Sequence, residues 1–187
     1  MMRSLNINMS PIHRLMMLAV ILTGMVFPAT FGRCLEGTED QIKGAMMVNF
    51  IKFIQWPDHV IEQANGRIII GIFGRDSFGQ ALEPLEGRTI GDYRLSIRRF
   101  DSLNQVTQCQ MLFVCASEIQ RTRQILNAVE GLPILTIGEA EDFLRSGGII
   151  RFYMDKKHVR FEINKAAAVK SDLKISAKLI EIASVFE

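Results

Sequence analysis

The chain has 187 residues, 48% of them hydrophobic, with 22 basic against 20 acidic side chains. Two of the basic residues, Arg3 and Arg14, and none of the acidic ones lie in residues 1–32. The remainder is close to neutral, which removes any electrostatic case for nucleic acid or anionic lipid as a partner.

Residues 1–32 read as a cleavable secretory signal. Arg3, His13 and Arg14 supply a positive start, and no acidic residue precedes Glu36. Residues 15–27 are apolar apart from Thr23 and Gly24, and Pro28, Ala29, Thr30 and Gly32 supply a cleavage region after Ala29 or Gly32. This run is shorter than the roughly 20 residues a bilayer-spanning helix needs. Arg33 ahead of Cys34 argues against a lipoprotein. The expectation is export to the periplasm, with residues 33–187 forming one domain, long enough for its own core.

Thr38 and Gln41 have capping-box spacing at a helix start. Ile42, Ala45, Met46, Asn49, Phe50, Phe53 and Ile54 repeat at three and four, predicting the buried face of a helix. Trp56-Pro57 ends it, because proline disfavours the α conformation in the residue before it. Lys43 and Lys52 fall on the polar side. Residues 67–73 form a continuous apolar run, expected of a strand covered on both faces. Ser77 can cap a short helix through Leu82. Residues 93–98 alternate as a half-exposed strand, and residues 111–115 and 133–137 are further buried strands. Helical spacing covers residues 117–129, and a short helix is predicted over 139–144.

Residues 147–154 and 158–163 alternate on either side of Asp155-Lys156-Lys157, which predicts a β-hairpin. Beyond it, Leu173, Ile175, Leu179, Ile180 and Ile182 predict a helical tail with one wide apolar side, broken near Ser171-Asp172. The fold class is therefore α/β: a three-layer sandwich with a mainly parallel central sheet of about six strands, an antiparallel hairpin at its end, and helices on both faces.

Chemistry is sparse. Gly71, Gly74 and Gly79 follow a strand, but their spacing is neither a dinucleotide fingerprint nor a phosphate loop. His59 and His158 have no second ligand at metal-binding spacing. No nucleophile and base fall into a known catalytic pattern. No cofactor, metal or enzymatic activity is expected. Cys109 and Cys115 flank a strand that separates them by roughly 20 Å at about 3.3 Å per residue. A disulfide needs Cα atoms within about 7 Å, so these two do not bridge each other. Cys34 is left open as a partner for either one. In the strand whose apolar side is Val159, Phe161 and Ile163, Arg160, Glu162 and Asn164 project from the other face. Glu162 and Asn164 admit two readings: a cross-strand pair of Arg160 or Glu162 with Arg151 plus a helix cap at Asn164, or a polar centre in a docking surface.

Three clusters carry a resemblance. They are Phe50-Ile51-Lys52-Phe53 with Trp56-Pro57; Ile134-Leu135-Thr136-Ile137-Gly138 with Gly147-Gly148-Ile149-Ile150; and Arg160-Phe161-Glu162-Ile163-Asn164 with Ala166-Ala167-Ala168 and residues 173–179. Together, over roughly residues 41–183, they resemble the YfiR-like family of periplasmic proteins. The resemblance implies a non-enzymatic regulator that binds and represses the periplasmic portion of an inner-membrane diguanylate cyclase or another sensor protein. It also implies an outer-membrane lipoprotein that draws the repressor off, releasing cyclic di-GMP synthesis and favouring biofilm. A homodimer is compatible with it. The alternative is a ligand-binding accessory of a sensor kinase or transporter. The expected docking residues are Glu162, Ile163, Asn164, Ile175 and Leu179. The chain departs from the best-known members in its cysteines: Cys109 falls where one of theirs lies, but its partner near residues 68–73 and the second pair near residues 138–148 are absent.

Overall fold

The computed structural model describes residues 38–75 and 78–186. The expected signal, Cys34 and the Ser77 cap lie outside the described residues. Helix α1 (Glu39–Ile51) begins with the expected capping box: the Thr38 hydroxyl accepts from the Gln41 amide, and the Gln41 side chain accepts from the Thr38 amide at 3.0 Å. The face it buries is rotated from the predicted one. Lys43, Gly44, Met47, Val48, Phe50 and Ile51 are buried, whereas Ile42, Ala45 and Asn49 are exposed. Two contacts cause the rotation. Gly44 lets Leu82 approach to 2.9 Å from where a Cβ would stand. Lys43 buries its stem and sets its ammonium between Glu39 and Glu139.

The helix also stops earlier than Trp56-Pro57 predicts. Ile54–Gln55 is instead a short strand, β1, antiparallel to β9 (Lys174–Ile175), with Ile54 opposite Ile175. Trp56 is buried behind it and donates its indole N–H to the Gln110 carbonyl at 3.1 Å. A short helix α2 (Asp58–Gln63) leads into the main sheet.

That sheet contains β2 (Arg67–Phe73), β3 (Thr89–Ile90), β4 (Tyr93–Phe100), β5 (Met111–Val114), β6 (Leu135–Gly138), β7 (Ile150–Asp155), β8 (His158–Asn164) and β10 (Ser184–Phe186). Its order is β10-β8-β7-β6-β5-β2-β4-β3, eight strands in all. Strands β7, β6, β5, β2 and β4 run parallel, and β8 turns back on β7 as the predicted hairpin. The loop of that hairpin is Lys156-Lys157, both at positive φ (45° and 70°), the conformation a two-residue hairpin turn demands. All six strands read from the sequence are present. The two added are β3 and β10 at the edges, too short to carry a periodicity.

Two apolar clusters lie on opposite faces. One gathers α1, Trp56, Phe113, Phe152, Phe161, Ile163 and Leu179; the other gathers Phe73, Phe100, Cys109, Leu112, Phe143 and helix α3 (Thr122–Ala128). Cys115 belongs to the first cluster and Cys109 to the second, at opposite ends of β5, and neither forms a disulfide among the described residues. The Cys109 thiol donates to the Val106 carbonyl, and burial pushes its pKa up to about 12. It therefore stays protonated at neutral pH. Gly71 faces it from β2, where an added Cβ would stand 3.0 Å from Sγ and collide with the Phe100 ring.

Two predicted helices are corrected. Residues 117–129 divide into a 3₁₀ segment, Ala116–Arg121, and α3, with Ile119 exposed. Residues 139–144 are not helical; they belong to a series of turns, closed by bonds from the amides of Phe143, Ser146, Gly147 and Gly148 to the carbonyls of Ala140, Asp142, Leu144 and Phe143. The Phe143 ring packs against both Gly138 and Gly148, where no side chain intervenes.

Candidate docking surface at the hairpin and tail

The tail is not one helix. Asn164 ends β8 and caps α4 (Lys165–Lys170), with its side-chain oxygen accepting from the Ala167 amide at 2.9 Å. The chain breaks at Ser171-Asp172, as predicted, with Asp172 at φ 52°. It then runs through β9, the five-residue helix α5 (Ala177–Glu181) and β10. Ile175 and Leu179 therefore do not share a helical face. Ile175 is half-buried against Ile54 on β9, and Leu179 is 1% exposed in the core.

Strand β10 lies parallel to β8, in register Ser184 to Glu162, Val185 to Ile163 and Phe186 to Asn164. It covers the edge of the hairpin. Ile163 is wholly buried as a result. Asn164 is committed to the fold: besides the cap, its side-chain amide donates to the Leu144 carbonyl at 3.1 Å. Glu162 is half-buried and accepts from Arg151 Nη2 at 3.0 Å and Nε at 3.1 Å. Arg151 also stacks over Tyr153, 5.3 Å from the ring centre, and the Tyr153 hydroxyl meets the Ser184 hydroxyl at 3.1 Å. The cross-strand pair and the helix cap weighed from the sequence are thus both present.

Of the five expected residues, Glu162, Ile163 and Asn164 adjoin on one strand end. Ile175 lies on the separate two-stranded ribbon, and Leu179 lies beneath the surface. Side chains that sequence reasoning missed stand outside. Ile182 is 69% exposed, Met154 48% and Val185 40%. Ile182 shares with Met46, Val159 and Phe161 a shallow hollow of about 440 Å³, which Tyr153, Arg160 and Ser184 also line. Val185 follows one strand position beyond, and Met154 sits opposite Val159 in the hairpin register. The edge therefore carries apolar side chains, Met154, Val159 and Val185, on one face of the sheet and the charged, aromatic network of Arg151, Tyr153 and Glu162 on the other, and exposed apolar side chains of this kind suit protein contact.

His59 and His158 are both exposed, and among the described residues no three His, Cys, Asp or Glu side chains converge as a metal site. No helix among them is long and apolar enough to cross a membrane.

A solved structure described as a conserved domain protein from Vibrio cholerae O1 biovar El Tor is similar in fold, with a TM-score of 0.53 at 9% identity. The match covers 80% of this chain and 60% of that one, so the chain spans less than two thirds of that structure's length. No curated protein matches the sequence. The family model described as YfiR/HmsC-like matches residues 40–184, from the first turn of α1 to the start of β10. The chain belongs to the YfiR/HmsC-like family.

Proposed function

We propose that this chain is a periplasmic, non-enzymatic regulator that docks on the periplasmic portion of an inner-membrane signalling protein, a diguanylate cyclase foremost, and holds it inactive. The observation that carries this reading is the family match across residues 40–184. Residues 1–32 direct export in this account, and residues 33–187 are the working domain. Repression follows from population shift: a regulator that binds the inactive conformation of its receptor more tightly draws the receptor into it. Release follows when a competing partner, such as an outer-membrane lipoprotein, occupies the same regulator. The docking surface we assign is the β8–β10 edge. Glu162 lies on its polar face, Ile182 and Val185 make the apolar contact around the edge, and Ile163, Asn164 and Leu179 hold the edge in shape from beneath. Binding of the purified protein to the isolated periplasmic domain of the cognate cyclase tests this. Saturable binding that Ile182→Asp weakens is the expected result, and binding indifferent to Ile182→Asp and Val185→Asp would move the surface elsewhere.

One observation favours a second reading, in which the chain is a ligand-binding accessory of a sensor kinase or transporter. A cleft of about 270 Å³ opens beside α4, only slightly below the common range of small-molecule sites.

A further inference from the structure

The cleft lies among the end of α3, the turn at residues 144–147, α4 and Phe186. Its inner polar group is Thr136, which is 4% exposed. The Thr136 hydroxyl oxygen accepts from the Ile149 amide at 3.0 Å. A hydroxyl also carries a proton to donate, and this one has no acceptor among the described residues. Two exposed cations, Arg145 and Lys170, line the same cleft, and neither side chain has an ion-pair or hydrogen-bond partner among the described residues. The paired cations elsewhere, Lys43, Arg121 and Arg151, each have their carboxylate within the fold. The cleft holds one carboxylate of its own, Glu130, so its charged groups leave a single positive charge. Val129 and Phe186 supply apolar wall.

We propose that this cleft binds a small organic monocarboxylate. The carboxylate sits between Arg145 and Lys170 and takes the unspent Thr136 proton, and the apolar part of the ligand lies against Val129 and Phe186. One surplus positive charge matches a monoanion better than a phosphate dianion. An apolar cavity of about 150 Å³ already accommodates benzene, so this cleft has room for a ring and its carboxylate. Phe186 pairs in register with Asn164 and lies two residues from Ser184, which pairs with Glu162. A ligand packed on Phe186 therefore bears on the strand that forms the docking edge. That coupling rests on the function proposed above; the binding does not.

The test follows backbone amide shifts of the purified exported protein during titration with benzoate, and separately with inorganic phosphate, at fixed ionic strength. Saturable shifts at Thr136, Lys170 and Phe186 with benzoate are expected. The Arg145→Ala/Lys170→Ala double variant should weaken that binding by about tenfold or more, with its melting temperature unchanged because both side chains are exposed. No saturable response to benzoate, or a response the double variant leaves intact, would overturn the site. Saturation with phosphate but not benzoate would overturn the carboxylate class. Benzoate binding in a protein that represses no cyclase keeps the cleft and rejects only the docking function.

Discussion

Arg151 grips Glu162 across the β7–β8 hairpin through two nitrogens, at 3.0 and 3.1 Å, with both side chains still partly open to solvent. The pair sits at the rim of the core and not within it, so fold and docking can be separated by mutation at this point.

Glu162→Ala removes a partly exposed ion pair, which is worth about 1 kcal/mol or less. Its melting temperature should stay within a few degrees of the parent, while repression by the variant weakens. Leu179→Ala empties a buried site and should cost about 2–5 kcal/mol. Thermal unfolding of both purified variants, beside their cellular abundance, checks the contrast. Equal loss of stability in both would place Glu162 among the structural residues.

Phe143 gives a second prediction. Its ring occupies the space that a Cβ at Gly138 or Gly148 would need, and Gly148 has the Phe143 carbonyl within 2.8 Å of that position as well. Gly148→Ala should therefore destabilise by about 1–3 kcal/mol through overpacking. Phe143→Ala should cost about 3–5 kcal/mol through the cavity it leaves. Because the two residues share one space, the double variant should be less damaged than the sum of the single ones. Urea unfolding of the three proteins measures this directly, and simple additivity would contradict the packing described.

Lys43 links α1 to the turn after β6. Burial pulls its pKa down, but hydrogen bonds and charge from Glu139 and Glu39 outweigh burial and hold the pKa above the usual lysine value. A lysine whose folded pKa is raised contributes stability that is fully present below its unfolded pKa, about 10.4, and lost as pH rises through the folded value. Glu139→Gln should reduce stability at neutral pH and flatten the fall in stability above that point. Denaturation midpoints from pH 7 to 11.5 for parent and variant test it; parallel curves would mean the ion pair contributes nothing.

The parts of this fold legible in the sequence are those with a long period. Residues 67–73 and the hairpin alternation fix strands directly, and Phe50 and Phe161, from two motifs far apart in the chain, meet in the core at 4.9 Å. The face of α1 was not legible, because a glycine contact and a buried ion pair, both set by distant residues, rotate it by about one position. The tail misled for a related reason. Its apolar residues at 173, 175, 179 and 182 fit a helical period, yet Ile175 is drawn into a ribbon with Ile54, and the last residues extend along β8. Tertiary pairing overrides propensity in segments this short. The candidate site shares that fate. Glu162 and Asn164 were identifiable from strand alternation, whereas the exposure of Ile182 and Val185 depends on β10, which has no signal of its own.

The most direct test of repression is cellular cyclic di-GMP in a strain that carries the cognate membrane cyclase and lacks this gene. The account predicts a rise on deletion, return to the parental level with the wild-type gene, and incomplete return with Glu162→Ala or Ile182→Asp expressed at equal abundance. Unchanged cyclic di-GMP in the deletion strain would contradict it.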